Sequence, residues 1–273
     1  MRASRAGLEN NSAVLPPDRQ AAANRLVYDA PHVYRDYLSV YLEPAEVSCL
    51  LKYQPYFCGH DVLDIGVGAG RTTRYLAPLA GRYEAVDYSP VMVAYMQNTM
   101  PEVSVRQADF RALNAFRDQS FDFLFATDNV IDTLSHEDRL CALSEAFRVL
   151  RPGGILAFSS HNAHYKPAYA GPRLEWSRNP VTLAANVAQL LLRWRNHLRV
   201  GPLRQITPEY ALLNDIGHHY ACLHYYVTRA IMQSQLASVG LRLIEVFNVH
   251  GEVMQDNDDD SQSPSLFYVT EHL

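Results

Sequence analysis

The chain has 273 residues, of which 48% are hydrophobic and 19% charged, with a formal net charge of −5 at pH 7. This composition supports a packed core and argues against a disordered or coiled-coil chain. The negative net charge argues against a protein that coats nucleic acid. No apolar run reaches the ~18 residues of a membrane span, and no apolar stretch follows the first basic residues as in a secretory signal. The four cysteines form no CxxC pair. We therefore expect a cytoplasmic protein with neither a nucleic-acid nor a membrane partner.

The first 57 residues are expected to form a separate N-terminal part, ahead of a main domain at 58–273. This part begins with a polar arm, and two helices are then predicted from apolar residues at helical spacing, the second of them beginning at Pro44.

From Asp61 onward, short apolar runs alternate with helical stretches. Strands are predicted at 62–65, 83–87, 103–108, 121–126 and 155–159, and helices at 71–80, 90–100 and 136–150. This alternation predicts an α/β fold whose parallel sheet has helices on both faces.

Residues 161–227 interrupt the alternation. A helix is predicted at 181–199, but no strand, and the segment is rich in histidine and tyrosine. The pattern then resumes with a helix at 228–239 and two strands, at 241–249 and 266–270. We expect residues 161–227 to be a helical insertion that covers the site.

A glycine-rich turn joins the first predicted strand to the helix that follows. In Asp64-Ile65-Gly66-Val67-Gly68-Ala69-Gly70 the glycines permit a tight turn and close approach of a ligand. A dinucleotide fingerprint would place its third glycine at Arg71, so the spacing disfavours a dinucleotide. Asp87 lies 21 residues after Gly66, at the end of the second predicted strand, where a carboxylate can accept ribose hydroxyls.

Four segments in this order resemble the class I S-adenosylmethionine-dependent methyltransferases. They are Asp64-x-Gly66-x-Gly68-x-Gly70, Asp87, Ala108-Asp109 and Leu150-Arg151-Pro152-Gly153-Gly154. The resemblance covers about residues 40–160 and the terminal strand pair. It implies a Rossmann-like, mostly parallel sheet of seven strands with the last one antiparallel, S-adenosylmethionine as the cofactor, methyl transfer as the activity, and leading helices that act as a lid.

The resemblance also implies roles at matching positions. Cofactor contacts are implied for Asp64, Gly66, Gly68, Gly70, Asp87, Tyr88, Met92, Ala108, Asp109, Phe110, Thr127 and Asn129. Asp64 and the glycine turn would face the methionine portion, Asp87 the ribose and Asp109 the adenine amine. In the leading segment, Tyr34 and Tyr37 become candidates for contact with the substrate.

Three residues are candidates for catalysis. A hydroxyl acceptor needs a base, whereas a neutral amine needs only to lose its proton. Asp128 follows the fourth predicted strand and His161 the fifth, at the strand ends where open α/β sheets bind ligands. His224, in the insertion, is the third candidate. A purely structural role for His161 or Asp128 remains an alternative.

The insertion also supplies candidate substrate-binding residues. His219 and Tyr225 belong to polar–aromatic clusters, and Arg193 lies in an arginine-rich helix that either holds a substrate carboxylate or phosphate or forms a solvated face. No metal site is predicted, because His218 and His219 are adjacent and no cysteine or carboxylate stands at ligand spacing.

The sequence thus predicts methyl transfer to an oxygen or nitrogen of a small molecule, in secondary metabolism. The alternatives are a methyltransferase of RNA or protein and a non-catalytic cofactor-binding protein. Asp128-Asn129-Val130-Ile131 departs from the Asn/Asp-Pro-Pro-Tyr/Phe segment of nucleobase amino-methyltransferases, which favours the small molecule. The acceptor's identity and the oligomeric state stay open.

Overall fold

A computed structural model of the chain describes residues 41–273 together with Gln20, Asn24, Val27, Tyr28, Ala30, Arg35, Tyr37 and Leu38. Tyr34 and most of the predicted N-terminal arm lie outside the described residues. Within them the four cysteines are free thiols. No helix of this part of the chain is long and apolar enough to cross a membrane.

The described residues form ten strands and seven α-helices. The strands are β1 (Asp61–Ile65), β2 (Arg82–Asp87), β3 (Ser104–Gln107), β4 (Phe121–Ala126), β5 (Leu150–Asn162), β6 (Gln205–Ile206), β7 (Ala211–Leu213), β8 (His224–Val227), β9 (Leu241–Phe247) and β10 (Ser265–His272). The helices are α1 (Pro44–Lys52), α2 (Gln54–Phe57), α3 (Thr73–Leu76), α4 (Pro90–Thr99), α5 (His136–Val149), α6 (Pro180–Val200) and α7 (Arg229–Ser238).

Seven strands make up the predicted sheet, in the order β3-β2-β1-β4-β5-β10-β9. Strands β1 to β5 are parallel to one another, and β10 runs antiparallel to both β5 and β9. The predicted Rossmann-like fold with an antiparallel last strand is therefore confirmed.

Alternate residues of the central strands enter two cores, one on each face of the sheet. In β1, Val62 belongs to the core that contains α1 and α2 residues, whereas Leu63 belongs to the core beneath α5 and α7. Phe123 and Leu124 of β4 divide in the same way. Because both faces are covered, the carboxyl ends of these strands are the edge of the sheet that is available for a site.

The insertion contains three strands that the sequence did not predict. β8 pairs in parallel with the last two residues of β5, His161 and Asn162, and β7 and β6 extend this branch in antiparallel pairing. These strands have two to four residues, and all four residues of β8 are buried. They are too short for an alternating pattern to be recognised.

Two predicted boundaries also change. The helix predicted at 71–80 is only one turn long, α3, and Pro78 cannot continue it because it has no N–H to donate. The fifth strand begins at Leu150, five residues before its predicted start, and a register irregularity opposite Phe121–Phe123 accommodates the Pro-Gly-Gly stretch.

Candidate active site

The glycine turn after β1 forms one wall of a cavity at the carboxyl ends of the strands, here called the glycine cavity. Gly66, Gly68 and Gly70 all have positive φ, between 55° and 80°. A Cβ on Gly66 would stand 2.3 Å from Val130 Cγ2, and one on Gly70 would stand 2.6 Å from Met96 Sδ. At Gly68 nothing lies within 4 Å of that position, and this residue lines the cavity. A ligand can therefore approach the backbone at Gly68.

Asp87 ties this turn to the next helix. One carboxylate oxygen, Oδ2, accepts a hydrogen bond from the Gly68 N–H and the other, Oδ1, from the Ser89 N–H, both at 2.9 Å. The glycine cavity has two adjoining compartments, one at the glycine turn and one beside Ala108–Phe110. Asp87 is only 6% exposed, yet it lines both of them. The carboxylate is thus held in a fixed orientation where hydroxyl groups of a ligand can donate to it.

The second compartment of the cavity has mainly apolar walls. Ala108, Phe110 and Leu134 are among its lining residues, and Asp109 supplies a carboxylate. The Arg111 guanidinium holds that carboxylate, with Nη2 at 2.7 Å from Oδ2. An apolar slot with one fixed acceptor suits a flat ring that carries an amine.

Most of the predicted cofactor residues therefore meet in one place. The predicted cofactor residues that line the glycine cavity are Gly66, Gly68, Asp87, Tyr88, Met92, Ala108, Asp109, Phe110 and Thr127, and the catalytic candidate Asp128 lines it too. Their individual roles stay predictions.

Asp64, Gly70 and Asn129 were also predicted to contact the cofactor, but they do not line the cavity. Asp64 is 1% exposed, and its Oδ2 accepts hydrogen bonds from the hydroxyls of Thr72 and Tyr83, each at 2.6 Å. Burial raises the pKa of Asp64 to about 6, although both hydroxyl bonds oppose the shift. In this structure Asp64 anchors the segment that follows the glycine turn.

Arg71 is a cation of the glycine cavity for which the sequence pattern predicted no role. Its guanidinium pairs with both oxygens of Glu46, with Nη2 at 2.7 Å from Oε1, and it lies 3.4 Å from the Thr127 hydroxyl. Glu46 comes from α1, so only the packing of α1 against the sheet shows the pair. Arg71 can bind a ligand carboxylate at this end of the cavity.

The residues after β4 have an unusual backbone. Asp128 and Asn129 have φ of 57° and 55°, a left-handed conformation that is uncommon for residues other than glycine. Asp128 lines the glycine cavity. The Asn129 N–H donates to Ser159 Oγ at 2.7 Å, its Nδ2 lies 3.4 Å from His161 Nε2, and its Oδ1 is buried with no partner among the described residues. Such outliers are typical of functional sites.

His161 forms a dyad with a carboxylate that was not predicted. Its Nδ1 lies 2.7 Å from Asp132 Oδ2, and its backbone N–H donates to the same oxygen at 2.6 Å. Burial alone would raise the pKa of Asp132, but the buried Arg139 guanidinium and His161 hold it below its usual range. The ionised carboxylate keeps the imidazole proton on Nδ1, so the neutral ring presents Nε2 as a proton acceptor.

His224 forms a second dyad beside the first. Its Nδ1 lies 3.1 Å from Asp215 Oδ2, which also accepts a hydrogen bond from the Tyr226 hydroxyl. Although burial opposes it, the Asp215 charge raises the pKa of His224. The His161 and His224 rings stack with centroids 5.1 Å apart. Both rings, Asp215 and Tyr226 line a second cavity, here called the histidine cavity.

The residues predicted to contact the substrate lie in different places, and their roles stay predictions. Tyr37 lines the glycine cavity and its hydroxyl is 3.0 Å from His218 Nε2. Arg193 lines the histidine cavity. Tyr225 does not line either cavity, because alternate residues of β8 face opposite sides: it is fully buried with its hydroxyl near His136.

His219 does not line either cavity. His218, not His219, contacts the tyrosines of the leading segment, with its ring centroid 5.1 Å from that of Tyr28. His219 instead accepts a hydrogen bond from Asn196 through its backbone carbonyl.

Among the described residues, three side chains come close enough together to be considered as metal ligands, although their spacing in the sequence did not indicate it. Ligand atoms of His161, Asp215 and His224 lie within 4.8 Å of one another. The two imidazole planes are only 20° apart and stacked, so their in-plane lone pairs run side by side instead of converging on one ion. The arrangement suits two separate proton-handling groups better than a metal centre.

Comparison with known proteins identifies a methyltransferase domain in the central part of the chain. Residues 62–154 match a family model described as "Methyltransferase domain". A malonyl-[acyl-carrier protein] O-methyltransferase of Enterobacter lignolyticus is 32% identical over 152 residues, 56% of this chain and 58% of that protein. A demethylmenaquinone methyltransferase of Tropheryma whipplei is 31% identical over 117 residues, 41% and 47% of the two chains.

Solved structures show the same fold over nearly the whole chain. A 1,6-didemethyltoxoflavin-N1-methyltransferase of Burkholderia thailandensis, solved with 1,6-didemethyltoxoflavin and S-adenosylhomocysteine, has a TM-score of 0.60 and 15% identity. The match covers 96% of this chain and 92% of that one. By contrast, the chain spans only 39% to 58% of the length of the first curated relatives.

Proposed function

We propose that this chain, a member of the class I S-adenosylmethionine-dependent methyltransferases, transfers the methyl group of S-adenosylmethionine to a hydroxyl oxygen of a small organic molecule. The observation that carries the choice of a hydroxyl is the His161–Asp132 dyad. His161 lines the histidine cavity, and its Nε2 contacts Asn129, whose neighbour Asp128 lines the glycine cavity.

The glycine cavity suits the cofactor in shape and in charge. Gly68 leaves room for close approach, Asp87 can accept the ribose hydroxyls, and the Ala108–Phe110 slot can hold the adenine beside Asp109. Arg71 can pair with the methionine carboxylate. When bound, S-adenosylmethionine supplies a methyl group on a sulfur that is already an activated leaving group.

The remaining chemical task falls to the chain's own residues. They must hold the acceptor in line and remove its hydroxyl proton. In the proposed mechanism the acceptor hydroxyl gives its proton to His161 Nε2. The oxygen would form the new bond to the methyl carbon as the carbon–sulfur bond breaks, and the sulfur would leave as a neutral thioether. Asp132 stays ionised and stabilises the resulting imidazolium, as a buried carboxylate does for a catalytic histidine.

The named relatives support a small molecule or a carrier-bound small group as the acceptor. They include methyltransferases of malonyl-[acyl-carrier protein] and demethylmenaquinone. We propose secondary metabolism as the setting, in line with the didemethyltoxoflavin methyltransferase that shares the fold.

The test combines product detection with a base variant. Protein is incubated with methyl-labelled S-adenosylmethionine and a small-molecule extract of the host cell, with RNA and protein fractions in parallel. We expect label in small molecules. His161→Gln should lower kcat by about 10²- to 10⁴-fold, because the base is lost, and should leave the affinity for S-adenosylhomocysteine unchanged in calorimetry.

His164→Gln is the matched control, because His164 lies three residues away with its side chain half exposed and paired with Asp260. It should retain the wild-type kcat. Label confined to RNA or protein, or a kcat of His161→Gln close to that of the wild type, would contradict the proposal.

A further inference from the structure

We propose that the acceptor carries a second, anionic group, a carboxylate or a phosphate, which Lys166, Arg173 and Arg193 bind in the histidine cavity while its hydroxyl faces His161. This inference rests on the proposed function and deepens it, since it names the class of acceptor. The reacting hydroxyl and the anionic group are different parts of the molecule.

Three cationic side chains from separate segments line this cavity. Lys166 begins the short 3₁₀-helix Lys166–Tyr169, Arg173 follows in the loop, and Arg193 belongs to α6. Helix α6 packs on the Gly217–Tyr220 turn, which contributes further lining residues. The insertion therefore brings together positive charges that are up to 27 residues apart in the sequence.

Most of this positive charge is not neutralised by protein carboxylates. Lys166 and Arg173 are exposed and form no ion pair with a described residue. The carboxylate that lines the cavity, Asp215, is already bonded to His224 and Tyr226. Although burial opposes the shift, the Asp215 charge raises the pKa of His224, so this carboxylate acts mainly on the imidazole beside it. A surplus of positive charge in a concave site favours an anionic ligand.

Arg193 gives a more specific indication. Its Nη1 donates to Glu175 at 2.7 Å, which holds the guanidinium against the cavity wall, and the side chain is only 11% exposed. Its Nε, however, is buried and has no hydrogen-bond partner among the described residues. A buried donor without a partner is costly, and an anion bound beside it would remove that cost.

The tyrosine beside these cations is consistent with this arrangement. Tyr220 lines the same cavity as Arg173 and Arg193, and burial raises the pKa of its hydroxyl, which therefore stays a hydrogen-bond donor. An oxyanion held by the guanidiniums can accept a further hydrogen bond from this hydroxyl. His161 lines the same cavity, so one small molecule can reach both the cations and the base.

The first experiment separates the extract before the reaction. Anion exchange at neutral pH divides the small molecules into a retained fraction and a flow-through fraction, and each is incubated with labelled S-adenosylmethionine. We expect label only from the retained fraction, in a product that is itself retained. Label only from the flow-through fraction, or in a product that has lost its charge, overturns the inference but leaves the proposed function standing. Label in neither fraction contradicts the proposed function.

The second experiment assigns the site. In Lys166→Gln/Arg173→Gln, the KM for the labelled acceptor should rise about tenfold or more, since charge-assisted hydrogen bonds are lost, while the affinity for S-adenosylhomocysteine stays the same. Arg195→Gln is the matched control, because Arg195 is exposed on α6 and does not line the cavity. An equal KM in the double variant and the control overturns the assignment.

Discussion

Single carboxylates decide how the site residues are oriented. Asp132 fixes the ring of His161, Asp87 fixes the glycine turn, and Asp215 fixes His224. Each of these acids is at least nine-tenths buried and has a specific donor, which offsets the cost of removing its charge from water. The acids thereby turn flexible polar side chains into fixed donors and acceptors.

The contribution of Asp87 to cofactor binding can be measured directly. In Asp87→Ala the ribose loses its charged acceptor, which we expect to cost about 1.5–3 kcal/mol of binding free energy, or roughly a 10- to 100-fold weaker affinity for S-adenosylhomocysteine in calorimetry. Glu102→Gln, which changes an exposed acid near β3, should bind as the wild type does. If the two variants bind equally well, Asp87 is not a cofactor ligand.

The positions at which the parallel strands end bring the site residues together. β1, β2, β4 and β5 are parallel, so their carboxyl ends lie at one edge, and the glycine turn, Asp87, Asp128 and His161 come together there. β8 pairs with the last residues of β5, which places His224 against His161. The two cavities therefore share this edge of the sheet.

The packing of the glycine turn predicts a difference between two glycine variants. Gly66→Ala and Gly153→Ala both place a Cβ at positive φ, with φ of 70° and 77°, and share that cost of roughly 1–2 kcal/mol. Only Gly66→Ala also brings a Cβ against Val130. Overpacking costs a further ~1–3 kcal/mol, so Gly66→Ala should unfold at the lower urea concentration.

The double variant Gly66→Ala/Val130→Ala provides the internal check. It removes the closest contact, Val130 Cγ2. Its loss in free energy of unfolding should therefore be smaller than the sum of the losses in the two single variants. Equal urea midpoints for Gly66→Ala and Gly153→Ala would show that Val130 moves aside without cost.

For the whole molecule, the buried acids make folding stability depend on pH in opposite directions. The pKa values of Asp132 and Asp215 are lowered, so the stability that these acids contribute is lost as pH falls. The pKa of Asp64 is raised to about 6 by burial, against ~3.9 in an unfolded chain. The folded protein therefore binds the extra proton, and this group lowers stability as pH rises from about 4 to about 6.

An Asp64→Asn variant isolates this contribution. Asparagine stays neutral, so the variant does not lose this stability as pH rises. The free energy of unfolding of the variant minus that of the wild type should therefore increase with pH over that interval, by up to about 1.4 kcal/mol per pH unit. Urea unfolding at several pH values measures the difference. The control, Asp61→Asn, should show a nearly constant difference over that interval and the opposite trend only below about pH 4. Although burial opposes the shift, ion pairs with Arg151 and Arg82 lower the pKa of Asp61. A pH-independent difference for Asp64→Asn would refute the expectation.

The sequence by itself determined the features that are written in consecutive residues. The strand–helix alternation, the glycine spacing and the position of Asp87 after β2 are local patterns. They are sufficient to predict the fold, and most of the cofactor residues that they indicate do line the glycine cavity. Local patterns suffice here because backbone geometry and hydrophobic periodicity act over a few residues at a time.

Only the tertiary structure decided which distant side chains meet. Asp132 and His161 are 29 residues apart and Arg71 and Glu46 are 25 apart, so their pairing depends on how a loop and a helix pack on the sheet. Tyr226 lines the histidine cavity and its neighbour Tyr225 does not, because only one face of β8 is turned toward that cavity. Register and packing are set by the whole core, and no local pattern encodes them.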